Sequence, residues 1–240
     1  MSQWFASLQA DFEQTFIMAD RWKTLLKGLG VTLEITLLAL LIGVFLGVLV
    51  AVVRASHDQM ESQKKKNALM SALNGFCKLY LTVIRGTPVM VQLLIMYFVI
   101  LANSTNTVLT AVLTFGINSG AYVAEIVRSG IMSIDGGQME AGRSLGLNYV
   151  QTMWHIIIPQ AIKSILPALG NEFIALLKET SIVNVIGMKD LTKWAMNTQG
   201  RTYQAFMPFL GIAAVYLVLV IIFTRLVGLM ERKLNKDAAR

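Results

Sequence analysis

The amino-acid sequence predicts an all-α integral membrane protein with about five transmembrane helices, an N-terminal interfacial helix and a charged cytoplasmic loop. Hydrophobic residues make up 55% of the 240 residues and charged residues only 15%, a composition unlike that of a soluble domain. The apolar residues are also gathered into runs of membrane-spanning length, which charged stretches separate. These observations favour a helical membrane domain.

Five apolar runs are candidates for membrane-spanning helices. The first covers residues 31–53, and a helix of that length, rising roughly 1.5 Å per residue, crosses a hydrocarbon core of about 30 Å. The other four lie near 88–102 (with a backward extension through 79–84), 107–127, 161–177 and 205–229. We expect Pro167 and Gly170 to interrupt the fourth run. An odd number of spans places the two termini on opposite sides of the membrane.

The distribution of cations predicts the orientation of these spans. With the N-terminus outside, 14 of the 21 Lys and Arg residues fall in inner segments and 7 in outer ones. Because Lys and Arg are enriched on the cytoplasmic side, the C-terminus is predicted to be cytoplasmic and the N-terminus external. The net charge of +7 is thus a topology signal, and we expect no nucleic-acid partner. The basic cluster Lys64–Lys66 is interpreted as solvated or lipid-facing.

The chain divides into three parts. Residues 1–24 are amphipathic and mixed in charge, which predicts an interfacial helix and not a cleaved signal peptide. Residues 25–231 form the transmembrane domain, and residues 232–240 a cytoplasmic tail. The single cysteine, Cys77, excludes a disulfide within the chain.

A patterned, charged stretch lies between the third and fourth apolar runs. Residues 140–145 are predicted to be helical, and Gly146 stands where a left-handed residue would end that helix. Asn148 can cap a second helix over 149–157, which the approach to Pro159 would end. The prediction is a pair of short helices joined by a fixed bend.

This stretch resembles the EAA loop of permease subunits in ATP-binding-cassette (ABC) importers. Five residues match that motif in place: Glu140, Ala141, Gly146, Ile156 and Pro159. Gly142 replaces the usual second Ala, and Ile158 the usual Leu. Further segments resemble the polar amino-acid branch of that family: Gly30–Leu33, VIRGTPVMVQL at 83–93, GAYVAEIVRSGI at 120–131 and LPALGNEFIALLKETSIVNVIGM at 166–188.

The resemblance implies a type I ABC importer permease of the bacterial cytoplasmic (inner) membrane, working by alternating access. The loop 133–159 would then couple to a separate ATPase through Glu140, Ala141, Gly142, Gly146, Leu147 and Pro159. The implied partners are that ATPase, an extracytoplasmic amino-acid-binding protein and a second permease copy, identical or related. On the residues alone, an ordinary interfacial helix pair is an equal alternative for the loop.

The sequence contains no motif for nucleotide chemistry. A Gly-x-x-x-x-Gly-Lys-Ser/Thr phosphate loop is missing, so ATP and Mg²⁺ would be bound by the partner ATPase. No Ser/His/Asp nucleophile arrangement or zinc pattern occurs either, and we expect no cofactor or metal in this chain. The chain is predicted to be a transport subunit and not an enzyme.

Polar residues inside the apolar runs are the candidates for substrate contact. A charged side chain at mid-bilayer costs roughly 2.5–3.5 kcal/mol, so such residues face protein or water. Glu172, beside Asn171 in the fourth run, could bind the ammonium group of an amino acid or a basic side chain. Asn118, Ser119 and Tyr122 form a polar patch in the third run. The alternative is hydrogen bonding between helices or, for Glu172, a salt bridge.

Other residues are candidates for gating or structure. Pro88, after Arg85, would break the second helix as a hinge, or Thr87 would act as the N-cap of a plain helix start. Glu125 and Arg128 form an i,i+3 pair. Lys178, with residues 188–191, is a candidate for an outer gate, a docking surface for a binding protein or a solvated loop. Two motifs are predicted to be close-packing faces: Gly43-x-x-x-Gly47 and Gly116-x-x-x-Gly120.

A second function class is an ATP-independent membrane protein. It would be a scaffold, or a secondary carrier with Glu34, Glu125 or Glu172 as proton relays. The sequence shows no internal inverted repeat of the kind many carriers have. Co-purification with a nucleotide-binding subunit would favour the importer, whereas proton-driven uptake by this chain alone would favour the carrier.

Overall fold

The computed structural model of this chain describes the backbone of residues 2–62 and 67–236 and the side chains of residues 7–61 and 67–234. Every regular element in these ranges is a helix, so the predicted all-α class is confirmed. The cluster Lys64–Lys66 and residues 237–240 of the tail lie outside the described part.

Ten α-helices follow one another in the described residues. They are α1 (Ser2–Phe12), α2 (Arg21–Ser62), α3 (Ala68–Gly86), α4 (Val89–Ile95), α5 (Thr107–Met132), α6 (Gly136–Ser144), α7 (Tyr149–Thr152), α8 (Ile158–Glu179), α9 (Leu191–Thr202) and α10 (Phe206–Lys236). Wider π-helical turns extend α1, α4 and α7 over Glu13–Ile17, Met96–Ile100 and Met153–Ile157. Short 3₁₀ segments cover Met18–Asp20 and Thr180–Ile186.

Three helical stretches among the described residues are long and apolar enough to cross a membrane. They are Ser7–Glu61, Thr107–Met132 and Phe206–Leu234, and a fourth results if α3 and the α4 segment count as one bent span. The predicted fourth run lies in α8. This helix is long enough but not apolar enough to be counted among them, because it is amphipathic and carries charged residues. Helix α2, with 42 residues, is about 60 Å long and extends well past the hydrocarbon core.

Helices α2 and α5 form the centre of the molecule, and glycines let their backbones approach. A Cβ on Gly47 would lie 2.6 Å from Val123 Cβ, and a Cβ on Gly116 would lie 2.7 Å from Ile42 Cγ2. Both glycine motifs are therefore close-packing faces, as predicted. Fully buried side chains from α2, α4, α5, α8 and the following 3₁₀ segment continue the core, among them Ile35, Leu93, Phe115, Leu176 and Val183.

The chain turns by 107° between α3 and α4. Thr87 and Pro88 are both extended, with ψ angles of 145° and 134°, because proline disfavours the α conformation in the residue before it. Thr87 is not the N-cap of α4, which is the second alternative from the sequence; its hydroxyl instead donates to the carbonyl of Val83, 2.8 Å away, at the end of α3. The predicted break is confirmed: Thr87 is the C-cap of α3, and Pro88 is the N-cap of α4.

Helix α8 is continuous where the sequence predicted interruptions. Pro167 lies inside the helix without ending it, so that prediction was wrong. Gly170 also keeps the helix intact and marks a close approach of α10, since a Cβ there would lie 2.5 Å from Val227 Cγ2. Helix α10 continues to Lys236 and so enters the predicted tail 232–240.

Candidate functional site

An open cleft of 590 Å³ lies between α5, α8 and the end of α3. Helices α5 and α8 each contribute polar and small residues to its lining. The residues that matter for chemistry are Arg85, Tyr122, Glu125, Ser129, Asn171 and Glu172. The cleft thus brings together five of the residues predicted from sequence for substrate contact or gating, from three separate helices.

Glu172 is the acidic group on the α8 wall. Ser119 Oγ donates a hydrogen bond to Glu172 Oε1 over 2.7 Å, and Ser119 itself is fully buried on α5. One oxygen of the carboxylate is therefore oriented by α5. Because a carboxylate can accept several hydrogen bonds, Glu172 retains capacity for a cationic ligand in the cleft.

Asn118 lies behind the cleft and not in its lining. The side chain is only 3% exposed, and its Nδ2 donates to Gln92 Oε1 over 3.0 Å. Gln92 Nε2 in turn donates to the carbonyl of Ile84 and to Thr87 Oγ1, each at 2.8 Å. The Gln92 amide therefore closes the break between α3 and α4 and fastens it to α5. Gln92 was not among the residues predicted from the sequence, although a lone amide in an apolar run is a visible signal.

Arg85 is the cationic group on the α3 wall. The guanidinium lies 5.6 Å from the centre of the Tyr122 ring, within range of a cation–π interaction. None of the ion pairs between described residues includes Arg85. The guanidinium and the Glu172 carboxylate thus present opposite charges to one cleft.

Glu125, which also lines the cleft, has two cationic partners of its own. Arg128 Nη2 lies 2.7 Å from one Glu125 oxygen, which confirms the predicted i,i+3 pair, and Arg54 Nη1 of α2 lies 3.8 Å from the other. A second open cleft, of 580 Å³, adjoins this pair and shares Arg85 and Glu125 with the first. Glu125 is therefore held by α2 and α5 and is less available to a ligand than Glu172.

The loop 133–159 is a rigid projection. Gly146 has a φ of +85°, so its predicted left-handed conformation is confirmed. Asn148 and Gln151 form a reciprocal capping box at 2.9 Å for each bond, which confirms Asn148 as the cap of α7. Gly142 is buried, and a Cβ there would lie 2.5 Å from Thr152 Cγ2. The glycine at this position therefore lets α6 pack directly on α7.

The sequence predicted that the second helix of this loop ends before Pro159, and this prediction was wrong. A π-helical turn carries it into α8, with the proline in the first turn of that helix, where a missing N–H is tolerated. The projection is therefore continuous with the α8 wall of the cleft. This continuity was not visible in the sequence because the wide turn that accommodates the proline has no sequence signature.

The exposed end of the loop is apolar. Leu145, Val150 and Trp154 are 81%, 70% and 67% exposed. Glu140 and Ala141 are also exposed on α6, whereas Leu147 is half-buried. Near this end, burial raises the pKa of Tyr149, and the negative charge of Asp58 on α2 raises it further. The C-terminal end of α2, where Asp58 lies, is therefore near Tyr149.

Two further groups lie outside the cleft. Lys178 is exposed at the far end of α8 and does not line it. His57, Asp58 and Glu61 on α2 place potential metal-ligand atoms within 4.8 Å of one another, a cluster that the sequence analysis did not single out. Both of its carboxylates are exposed, an arrangement that is common without a metal.

The comparison with known proteins decides the family. Residues 43–236 match the family of binding-protein-dependent transport system inner membrane components. This chain belongs to that family. It is a multi-pass inner-membrane transport subunit and not an enzyme, and the family's name implies a partner binding protein.

Individual relatives extend over most of this permease. It is 39% identical to a putative glutamine transport permease of Rickettsia bellii, over 68% of this chain and 76% of the relative. It is 42% identical to an arginine transport permease of Bacillus subtilis, over 66% and 74% of the two chains. The glutamine transport permease of Escherichia coli is 34% identical, over 68% and 76%. The predicted membership of the ABC importer permeases is confirmed.

Solved structures agree on the fold of the permease. A crystal structure of an amino acid ABC transporter with histidines matches with a TM-score of 0.81 and 42% identity, covering 91% of this chain and 98% of that chain. An inward-facing structure of the methionine ABC transporter MetNI matches with a TM-score of 0.70 at 18% identity, which concerns the fold alone.

Proposed function

We propose that this permease carries a polar amino acid into the cell by alternating access, as one of two permease chains driven by a separate ABC ATPase. The observation that carries the proposal is the cleft in which Glu172 and Arg85 present opposite charges. Named functions of the relatives, glutamine and arginine transport, support the same substrate class.

The cleft suits the charges that every α-amino acid shares. The Glu172 carboxylate, oriented by Ser119, would accept hydrogen bonds from the substrate ammonium group, with Asn171 beside it. Arg85, held against Tyr122, would bind the substrate carboxylate as a bidentate donor. One negative and one positive side chain in the same cleft favour a zwitterion over an uncharged solute.

The projecting loop would couple ATP hydrolysis to transport. Its apolar end, with Leu145, Val150 and Trp154, would bind in a groove of the ATPase. Because α7 continues into α8, a displacement of the loop reaches the helix that carries Glu172. ATP and Mg²⁺ are bound by the ATPase in this proposal, and the coupling residues Glu140, Ala141, Gly142, Gly146, Leu147 and Pro159 act through the loop.

Topology and assembly complete the proposal. The N-terminus is external, the C-terminus and the loop are cytoplasmic, and an extracytoplasmic amino-acid-binding protein delivers the substrate. The cleft is open on one side, so a second permease chain, identical or related, would complete the path at a two-fold interface.

The test is ligand binding by the complex of permease and ATPase. L-glutamine, L-arginine and L-histidine are each screened for thermal stabilisation, with their carboxamides as analogues that lack the carboxylate. Glu172→Gln is expected to abolish stabilisation by every amino acid, whereas Glu34→Gln, an exposed acid outside the cleft, is expected to retain it. Equal stabilisation of Glu172→Gln and wild type would overturn the site.

Arg85→Gln tests whether Arg85 binds the carboxylate of the substrate. Wild type is expected to prefer the amino acid to its carboxamide by about tenfold or more, the worth of one charged hydrogen-bonded pair. Arg85→Gln is expected to bind both equally weakly, while Lys78→Gln, which lines only the neighbouring cleft, keeps the preference. Proton-driven uptake by the permease without an ATPase would favour the secondary carrier instead.

A further inference from the structure

A basic pocket of 410 Å³ lies at the end of α2 that is remote from the coupling loop, between α2 and α9. Four cationic side chains line it: Arg21, Lys27, Lys189 and Arg201. The other lining residues include Thr24, Asn197 and Thr198, so the wall is polar. Neither the substrate cleft nor the coupling loop uses any of these residues.

Positive charge exceeds negative charge among the described residues that line this basic pocket. Asp190 is the single acidic lining residue, and it is fully buried. Its two oxygens accept hydrogen bonds from the backbone N–H groups of Thr192 and Lys193, at 3.0 and 2.9 Å, as the N-cap of α9. None of the ion pairs between described residues includes any of the four cations.

The position of these cations is unusual for a membrane protein. In the proposed topology only seven Lys and Arg residues lie outside, and four of the seven line this one pocket. External cations oppose the charge bias that sets membrane orientation. Their concentration at one concave site therefore indicates an anionic partner and not a scatter of solvated charges.

The basic pocket faces away from lipid. Arg21, Thr24 and Lys27 follow each other at intervals of three residues along one side of α2. The exposed apolar residues of the same turns, Trp22 and Leu26, lie on the other side of the helix, at 44% and 52% exposure. A lipid tail would lie along Trp22 and Leu26, so the pocket is accessible from the outer aqueous phase instead.

The pocket is also held rigid. Trp194 of α9 forms part of its wall, and its Nε1 donates to the carbonyl of Arg21 over 3.0 Å and to Thr24 Oγ1 over 3.1 Å. Phe16 stacks on the Trp194 ring with 5.6 Å between ring centres. The two elements that supply the cations are therefore fixed before a partner arrives, which reduces the ordering cost of binding.

We propose that this basic pocket receives acidic side chains of the extracytoplasmic binding protein when that protein docks on the permease. The proposal rests on the proposed function, because it needs an external binding protein and an external N-terminus. Complementary charge at such a contact raises the association rate and fixes the orientation of the docked partner. Docking at α9 would also place the partner next to Thr180–Ile186, the segment that follows α8.

Zero-length cross-linking tests the contact directly. The permease–ATPase complex is placed in nanodiscs of phosphatidylcholine with the purified binding protein that stimulates its ATP hydrolysis, and a carbodiimide joins carboxylates to lysines in contact. Peptide mass spectrometry is expected to find Lys27 and Lys189 joined to Asp or Glu of the binding protein. Cross-links of that protein confined to Lys23 and Lys193, which do not line the pocket, would overturn the proposal.

Charge reversal supplies the functional measurement. Lys27→Glu/Lys189→Glu is expected to weaken the apparent affinity of the binding protein about tenfold or more and to leave unstimulated ATP hydrolysis unchanged. Lys23→Glu/Lys193→Glu carries the same charge change on the neighbouring positions and is expected to have less than a threefold effect. Equal losses in the two variants, or no loss in the first, would contradict docking at this pocket.

Two other outcomes distinguish failure of the docking site from failure of the proposed importer. A loss of affinity that occurs only in nanodiscs containing phosphatidylglycerol would assign the pocket to a lipid phosphate and overturn the proposal. Wild-type ATP hydrolysis that no binding protein stimulates would refute the proposed importer itself. The docking site alone fails when stimulation is normal and the pocket variants retain it.

Discussion

At the residue scale, hydrogen bonds to α5 determine where the polar side chains of the membrane domain point. Ser119 turns Glu172 toward the cleft, whereas its neighbour Asn118 turns away and bonds to Gln92. Adjacent residues on one helix thus serve different helices. The pattern of polar residues identified both as candidates for substrate contact, but it could not show that Ser119 bonds to Glu172 and Asn118 to Gln92.

Gln92→Leu tests the amide that spans the break between α3 and α4. The substitution removes the acceptor of the buried Asn118 amide, and an unsatisfied buried group costs roughly 1–3 kcal/mol. We expect a lower unfolding temperature and lower uptake. Gln199→Leu, an exposed glutamine of α9, is the control and is expected to change neither quantity by much. Unaltered stability of Gln92→Leu would mean that the Thr87–Pro88 backbone holds the angle alone.

At the element scale, the bend in the loop 133–159, which we propose couples ATP hydrolysis to transport, depends on one left-handed residue. Gly146→Val would place a β-branched side chain at a φ of +85°, a strain of about 1–2 kcal/mol or more, and shift α7 relative to α6. We expect normal membrane insertion and retained ATP hydrolysis with loss of uptake in reconstituted vesicles. Gly146→Asn tolerates this conformation better and is expected to keep most of the uptake. Full uptake by Gly146→Val would contradict a role for the bend.

The contact of α2 with α5 offers a matched pair of glycines on one helix. Gly47→Leu would drive its side chain into Val123, whereas a Cβ at Gly30 meets nothing within 4 Å. We expect Gly47→Leu to lower stability by roughly 1–3 kcal/mol and Gly30→Leu to leave it nearly unchanged. Thermal unfolding in detergent measures both. Equal losses of stability in the two variants would mean that replacing a glycine of α2 is itself destabilising, whether or not it contacts α5.

At the scale of the whole molecule, the proposed topology can be measured by labelling. Cys77 is the one cysteine and is buried, so Cys77→Ser gives a background without thiols. Ser144→Cys in the loop is expected to react with an impermeant maleimide only in opened cells, and Asn197→Cys in the basic pocket to react in intact cells. Reaction of Ser144→Cys in intact cells would exclude a cytoplasmic ATPase as its partner.

Four features of this protein were predictable from the sequence alone: the helical membrane class, the break at Thr87–Pro88, the bend at Gly146 and the packing role of the two glycine motifs. These features follow from local chemistry: apolar length, the ring of proline, the conformational freedom of glycine and the spacing of small residues. Three further features are visible only in the folded chain: Arg85 and Glu172 share a cleft, Gln92 joins three helices, and α7 continues through Pro159 into α8. The same is true of the basic pocket, whose cations come from residues 21 to 201. Contacts between residues so distant in the chain depend on how the helices pack, and periodicity along one helix carries no information about that packing.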